Sequence, residues 1–181
     1  MEVAVHLFYT EGVRATGTEK IMSSANVAKA TFYRHFPSKD ALVLAYLEKQ
    51  DRSFWDGLLG PPTPQDVHEA LIRLDQMVNH PEVTGCPFLR VASEYPETSH
   101  PFHCRVIEHK NKLLAYLAEL LGSHTGDRKA LARKLLTVID GALSVRMVYG
   151  AAKEVPLLAS AEAILQDSFG AGKSSDTNPA P

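Results

Sequence analysis

Helical periodicity, broken at short intervals by Gly and Pro, runs along this chain, and no stretch alternates apolar and polar residues long enough to make a strand. That pattern confines the fold to packed helices of ordinary length. The periodic segments are 3–9, halted by Gly12, then 18–25, Lys29–His35 and 39–58, followed by 64–79, 88–95, 102–121, 127–152 and 156–169. Thr18 and Ser38 stand where N-caps belong, Asn26 suits the left-handed exit of a helix, and Pro156 falls in the first turn of the last helix. Between them lie the loop at 60–64 and the breaks at 85–87, 96–101 and 122–126, and the tail 171–181 is expected to be disordered.

The chain has 181 residues, 45% of them hydrophobic and 22% charged, enough to bury a core without disulfides or a structural metal. No apolar run approaches the roughly 18 to 20 residues of a membrane span, and the first residues lack the basic start of a signal peptide. Two cysteines, Cys86 and Cys104, are too few for a secreted disulfide scaffold, so a cytoplasmic protein is expected.

A net charge of −2 argues weakly against a nucleic-acid partner, but its distribution argues for one. Arg14, Lys20, Lys29, Arg34 and Lys39 face a single acid, Glu19, within 14–39, and the other 14 basic residues are outnumbered by 20 acids. The same segment contains two short helices around a turn at Asn26. Ile21, Met22, Ala25, Val27, Phe32 and Phe36 can hold them together, leaving Lys29, Thr31, Tyr33, Arg34 and His35 for another surface. This is the plan of a helix-turn-helix, in which the second helix enters the major groove. Its cations neutralise phosphates, its hydroxyl and imidazole groups donate to phosphate oxygens, and Lys29 is placed to reach a guanine edge.

The run Ala25-Asn-Val-Ala-Lys-Ala-Thr-Phe-Tyr-Arg-His-Phe-Pro-Ser-Lys-Asp-Ala-Leu resembles the signature of the tetracycline-repressor-like (TetR) family of bacterial transcription regulators. Its flanks, LFYTEGVRATGTEKI and DALVLAYLEK, are similar to that family's first two helices and connecting helix, and GCPFLRVASEYPE resembles one of its subgroups. The close similarity covers about residues 7–49. It implies an all-α protein, with an N-terminal three-helix helix-turn-helix module in 1–49. A long helix would join this to a helical ligand-binding and dimerisation domain in 50–170.

By the same resemblance Thr18 would touch phosphate and Glu19 would face the groove. Lys29 and Ala30 would read bases, and Thr31, Tyr33, Arg34 and His35 would lie on the DNA face, with Lys39 clamping the backbone. The function implied is a ligand-responsive repressor that binds a palindromic operator as a homodimer, cytoplasmic and nucleoid-associated. Family members commonly carry a basic arm ahead of the first helix that this sequence lacks. The alternative is therefore a dimeric small-molecule-binding protein with impaired or lost DNA binding.

Two apolar stripes would build the dimer interface: Leu131, Leu135, Val138, Ala142 and Val145 on one helix, and Leu157, Ala161, Ile164 and Leu165 on the next. Candidate pocket residues for an unknown small-molecule effector are Phe54, Trp55, Met77, Phe88, Tyr95, Phe102, His103 and Met147, although each is equally suited to core packing. No metal or cofactor is expected. His100, His103, Cys104, Glu108 and His109 are too loosely spaced for a metal site, and Gly170-Ala-Gly-Lys-Ser has no P-loop context. No nucleophile-and-base set is present, so an enzyme is not expected.

Overall fold

The computed structural model describes residues 1–59, 66–122 and 127–170. The expected loop at 60–64, most of that at 122–126, and the tail 171–181 lie outside the described residues. Within the described residues every regular element is helical. These are α1 (Glu2–Glu11), α2 (Thr18–Ser24), α3 (Lys29–His35), α4 (Lys39–Arg52), α5 (Val67–Asn79), α6 (Pro87–Glu94), α7 (Pro101–Leu120), α8 (Arg128–Tyr149) and α9 (Leu157–Gly170).

Most helix ends follow from local chemistry. Ser38 Oγ accepts from Ala41 N–H at 3.0 Å, and Asp127 Oδ1 accepts from Ala130 N–H at 2.9 Å, each satisfying a donor that the first turn leaves free. Two expectations are corrected by one residue. Gly17, in extended conformation, takes the N-cap place of α2, so Thr18 is the first helical residue. Pro156 stands before α9, its carbonyl accepting the Ser160 N–H at 3.1 Å. A third correction concerns 39–58. The α-helix ends at Arg52 and continues as a π-helix over Ser53–Leu59. Hydrophobic period does not separate a widened turn from an α turn over so few residues.

The chain divides into two compact units, Met1–Trp55 with Pro87–His109, and Asp56–Cys86 with the chain from Lys110 onward. In the first, α1 to α4 and α6 enclose a core that includes Phe8, Ile21, Phe32, Leu42, Val43 and Val91. Phe8 meets Tyr46 edge to face, ring centroids 5.4 Å apart. Thus 87–109, which the resemblance implies belong to the C-terminal domain in 50–170, pack with the first 55 residues.

The second unit is built on α5 and α8 packing against α9, with Leu74, Leu135 and Ala161 fully buried. Polar clamps fix it. The Asn79 amide donates to the Asp75 and Val155 carbonyls and accepts from Val155 N–H, while Asp75 Oδ1 accepts from Leu158 N–H. Arg146 is buried on α8. Its guanidinium donates to the carbonyls of His80 at 2.8 Å, Val83 at 3.1 Å and Lys153 at 3.4 Å. With its 3-10 extension, α8 is long and apolar enough to cross a membrane by length and composition. On this helix Asp140 is held by Lys110 and Arg146 by three carbonyls of its own unit.

Replacing Arg146→Met strands those three carbonyls. We expect a stability loss of at least about 3 kcal/mol, since each buried carbonyl left without its donor costs roughly 1–3 kcal/mol. Urea unfolding followed by far-ultraviolet circular dichroism measures it.

Candidate nucleic-acid interface

The turn between α2 and α3 is set by one residue in an uncommon conformation. Asn26 has φ of 49°, the only positive value among the described non-glycine residues. Around it, Val27 N–H reaches back to the Met22 carbonyl at 3.0 Å and Asn26 N–H to that of Ser23 at 3.1 Å. This pair of bonds is a Schellman motif, which satisfies carbonyls at the end of α2 and redirects the chain. Only Gly and Asn adopt the required left-handed conformation at low cost. Three residues later α3 begins, with Ala28 extended at its N-cap.

On α3, Phe32 is buried and Thr31 is half-buried, while Lys29, Ala30, Tyr33, Arg34 and His35 are exposed. Lys29, Tyr33, Ala30 and Arg34 fill a continuous arc of about 140° at helical spacing, with Thr31 and His35 beyond its Arg34 edge. Tyr33 stands edge-on against the Phe32 ring at 5.2 Å, so an exposed phenol is braced by a core residue. On α2, Glu19 is exposed and Thr18 is half-buried, and Lys39 is half-buried at the first turn of α4.

The five cations of this segment are not equivalent. Lys20 is paired with Glu11, and the Arg14 guanidinium lies 4.8 Å over the Tyr95 ring. Among the described residues Lys29, Arg34 and Lys39 have no carboxylate partner. The positive charge available to a ligand therefore sits on α3 and at the start of α4. Exposed cations on a short helix held out by a tight turn are the chemistry of phosphate and base-edge contact.

The sequence profile of "Bacterial regulatory proteins, tetR family" matches residues 1–46. A TetR-family transcriptional regulator from Streptomyces coelicolor has a similar structure, with a TM-score of 0.83 and 30% identity, covering 93% of this chain and 87% of that one. The chain belongs to the TetR family. A second TetR-type regulator, assigned to the family as putative, from Streptomyces avermitilis gives a TM-score of 0.75 at 28% identity, over 92% of this chain and 94% of that one. An uncharacterized HTH-type transcriptional regulator of Bacillus subtilis is 32% identical over 74 residues, 41% of this chain and 38% of that protein's length. This TetR-family protein is thus a DNA-binding transcriptional regulator, of a family whose members are not enzymes.

The eight effector-pocket candidates are divided between the two units, Phe54, Trp55, Phe88, Tyr95, Phe102 and His103 in the first and Met77 and Met147 in the second. In the first unit Phe54, Trp55 and Phe88 surround a residue that sequence reading did not select, His109. Phe88 stacks face to face on its ring at 3.7 Å, and Phe54 meets it edge-on at 5.1 Å. His109 Nδ1 lies 2.6 Å from Asp51 Oδ1, which also accepts from Trp55 Nε1 at 2.9 Å. Tyr95 and Phe102 form another ring group with His100, and His103 Nδ1 lies 2.7 Å from the Tyr95 carbonyl. Burial, followed by the Glu94 carboxylate, raises the pKa of the Tyr95 hydroxyl above its ordinary value.

In the second unit Met147 lies against Gly85, leaving no room for a Cβ there. Met77 lines an open cavity of about 490 Å³ with Gly57, Leu58, Arg73, Gln76, His80 and Val83. The His and Cys residues set aside as metal ligands are held separately, with Cys104 Sγ at the Thr98 carbonyl and Glu108 paired with Arg105. Among the described residues no three His, Cys, Asp or Glu side chains gather as a metal site.

Of the dimer-interface candidates, Leu131, Leu135, Ala142, Leu157, Ala161 and Leu165 are buried within their own chain. Val138 and Ile164 are half-buried and Val145 is exposed. The apolar surface that α8 leaves open is its C-terminal part, where Val148 is 73% and Tyr149 52% exposed. A core-facing stripe and an outward-facing one both repeat every three to four residues, so periodicity alone does not separate them.

Asn26→Val is expected to destabilise the first unit by about 1–2 kcal/mol, because a β-branched residue does not fit the left-handed conformation. Asn26→Gly is expected to leave it unchanged or slightly more stable. Thermal unfolding of the two variants beside the parent checks the order.

Proposed function

We propose that this regulator is a homodimeric, ligand-responsive repressor that places one α3 from each protomer into successive major grooves of a near-palindromic operator. The observation that carries the reading is the α3 arc of Lys29, Ala30, Tyr33 and Arg34, with its cations uncommitted and its orientation set at Asn26. In this reading residues 1–49 read DNA and 50–170 sense and pair. Lys29 and Ala30 face base edges. Thr18, Thr31, Tyr33, Arg34 and His35 contact phosphates, Glu19 faces the groove and Lys39 clamps the backbone. Two-fold symmetry then requires half-sites roughly 34–36 Å apart, or a multiple of that.

The exposed end of α8 supports pairing. Val145, Val148 and Tyr149 present apolar surface there, and a side chain at Gly141 would meet nothing within 4 Å, leaving room for close helix approach. The cavity around Met77 supports a small effector, and its residues Gly57 and Leu58 continue the chain from α4. An effector that prefers the non-binding arrangement by about 1–3 kcal/mol lowers operator affinity roughly 5- to 150-fold. The protein acts in the cytoplasm, where the operator is.

Selection from a randomised duplex pool, followed by gel shift of the enriched sequence, tests the reading. The expected result is an enriched palindrome bound by two protomers. Lys39→Ala should reduce the slope of log affinity against log salt by about 0.9 for each lost phosphate contact. Lys29→Ala should also relax base preference at one position per half-site. Failure to enrich any palindrome overturns the proposal. Sedimentation of the 19.9 kDa chain should give a dimer that Val148→Glu converts to monomer.

A further inference from the structure

The turn between α1 and α2 is gripped by a side chain distant in sequence. Glu94, the last residue of α6, accepts the Val13 N–H on Oε1 at 3.0 Å and the Arg14 N–H on Oε2 at 2.6 Å. Two successive amides converging on one carboxylate make a small anion nest, and each bond is strengthened by the full charge. Gly12 makes the approach possible. Its φ is +93°, and a Cβ there would stand 2.8 Å from Glu94 Oε1.

The turn is held from its other side as well. Thr16, fully buried, donates its hydroxyl to the Gly12 carbonyl at 2.7 Å. Two ring contacts flank the grip, Arg14 over Tyr95 at 4.8 Å and Arg90 over Tyr9 at 5.7 Å. All of these partners belong to the first unit. The first helix of the DNA-reading pair, α2, starts at Thr18, just past the gripped turn.

We infer that Glu94 is a positioning residue for DNA binding: through its carboxylate α6 holds the α1–α2 turn, and through that turn it sets where α2 and α3 stand. A displacement of α6 is then handed to the reading helices directly, in addition to the packing of α6 on α4. The inference rests on α2 and α3 being the DNA-reading pair. It gives Glu94 and Gly12 one shared role that no sequence periodicity marks.

The test compares full-length parent, Glu94→Gln and Glu94→Ala. One readout is affinity for the duplex that the parent enriches from a randomised pool. The other is the set of backbone amide resonances. The alanine variant should lose affinity by about tenfold, within the usual range for coupled sites, with Gln in between. Both variants should melt cooperatively, and the amide resonances of α3, 29–35, should move along with those of Val13 and Arg14.

Shifts confined to the turn, with α3 unmoved, overturn the inference. So does parental affinity in the alanine variant, or an affinity loss fully explained by the unfolded fraction. If the alanine variant does not fold, the near-isosteric Gln variant carries the same comparison. If the parent enriches no duplex, it is the DNA reading that fails, and the α3 resonances still decide the coupling.

Discussion

The DNA-reading surface depends on helices too short to stand alone. α2 and α3 have seven residues each, well below the roughly 12–15 at which an isolated helix becomes even marginal in water. They persist because Ile21 and Phe32 reach a core furnished by α1 and α4, where Phe8 and Tyr46 meet edge to face. Burial of a side chain of this size is worth about 1.5–3 kcal/mol, more than a single extra turn of helix contributes. The exposed residues of α3 therefore inherit their positions from apolar contacts on the opposite side of the same helix. Tyr33 shows this directly, its exposed ring braced against the buried ring of Phe32.

The polar interactions fix the connections between helices. Glu94 holds the α1–α2 turn, and Asn79 and Asp75 hold the start of α9. Arg146 holds the segments after α5 and α8. In each case a side chain satisfies backbone groups that no helix can satisfy, which is where buried irregular chain is most costly.

Much of the candidate interface was legible in the sequence because it is local. The Schellman turn needs one residue tolerant of positive φ, and Asn26 is that residue. Exposure of Lys29, Tyr33 and Arg34 follows from the apolar spacing around Phe32. The charge segregation was legible too, but only as a count. Pairing of Lys20 with Glu11 offsets one of its five cations and placement of Arg14 over Tyr95 engages another, and neither partner can be read from spacing. The effector-pocket set was less legible. Aromatic residues are attracted equally to pockets and to cores, and five of the eight pack into two ring groups of the first unit around His109 and His100.

The sequence by itself determined the helical class, the turn at Asn26, the cap at Ser38 and the outward face of α3. All of these rest on interactions within a few residues along the chain. Only the tertiary structure decided that 87–109 join the first unit. It alone showed which α8 residues face inward, and that Glu94 reaches Val13 and Arg14 across eighty residues of sequence. Hydrophobic period states that a face is buried, but not against what. A hydrogen bond between distant residues leaves no period at all.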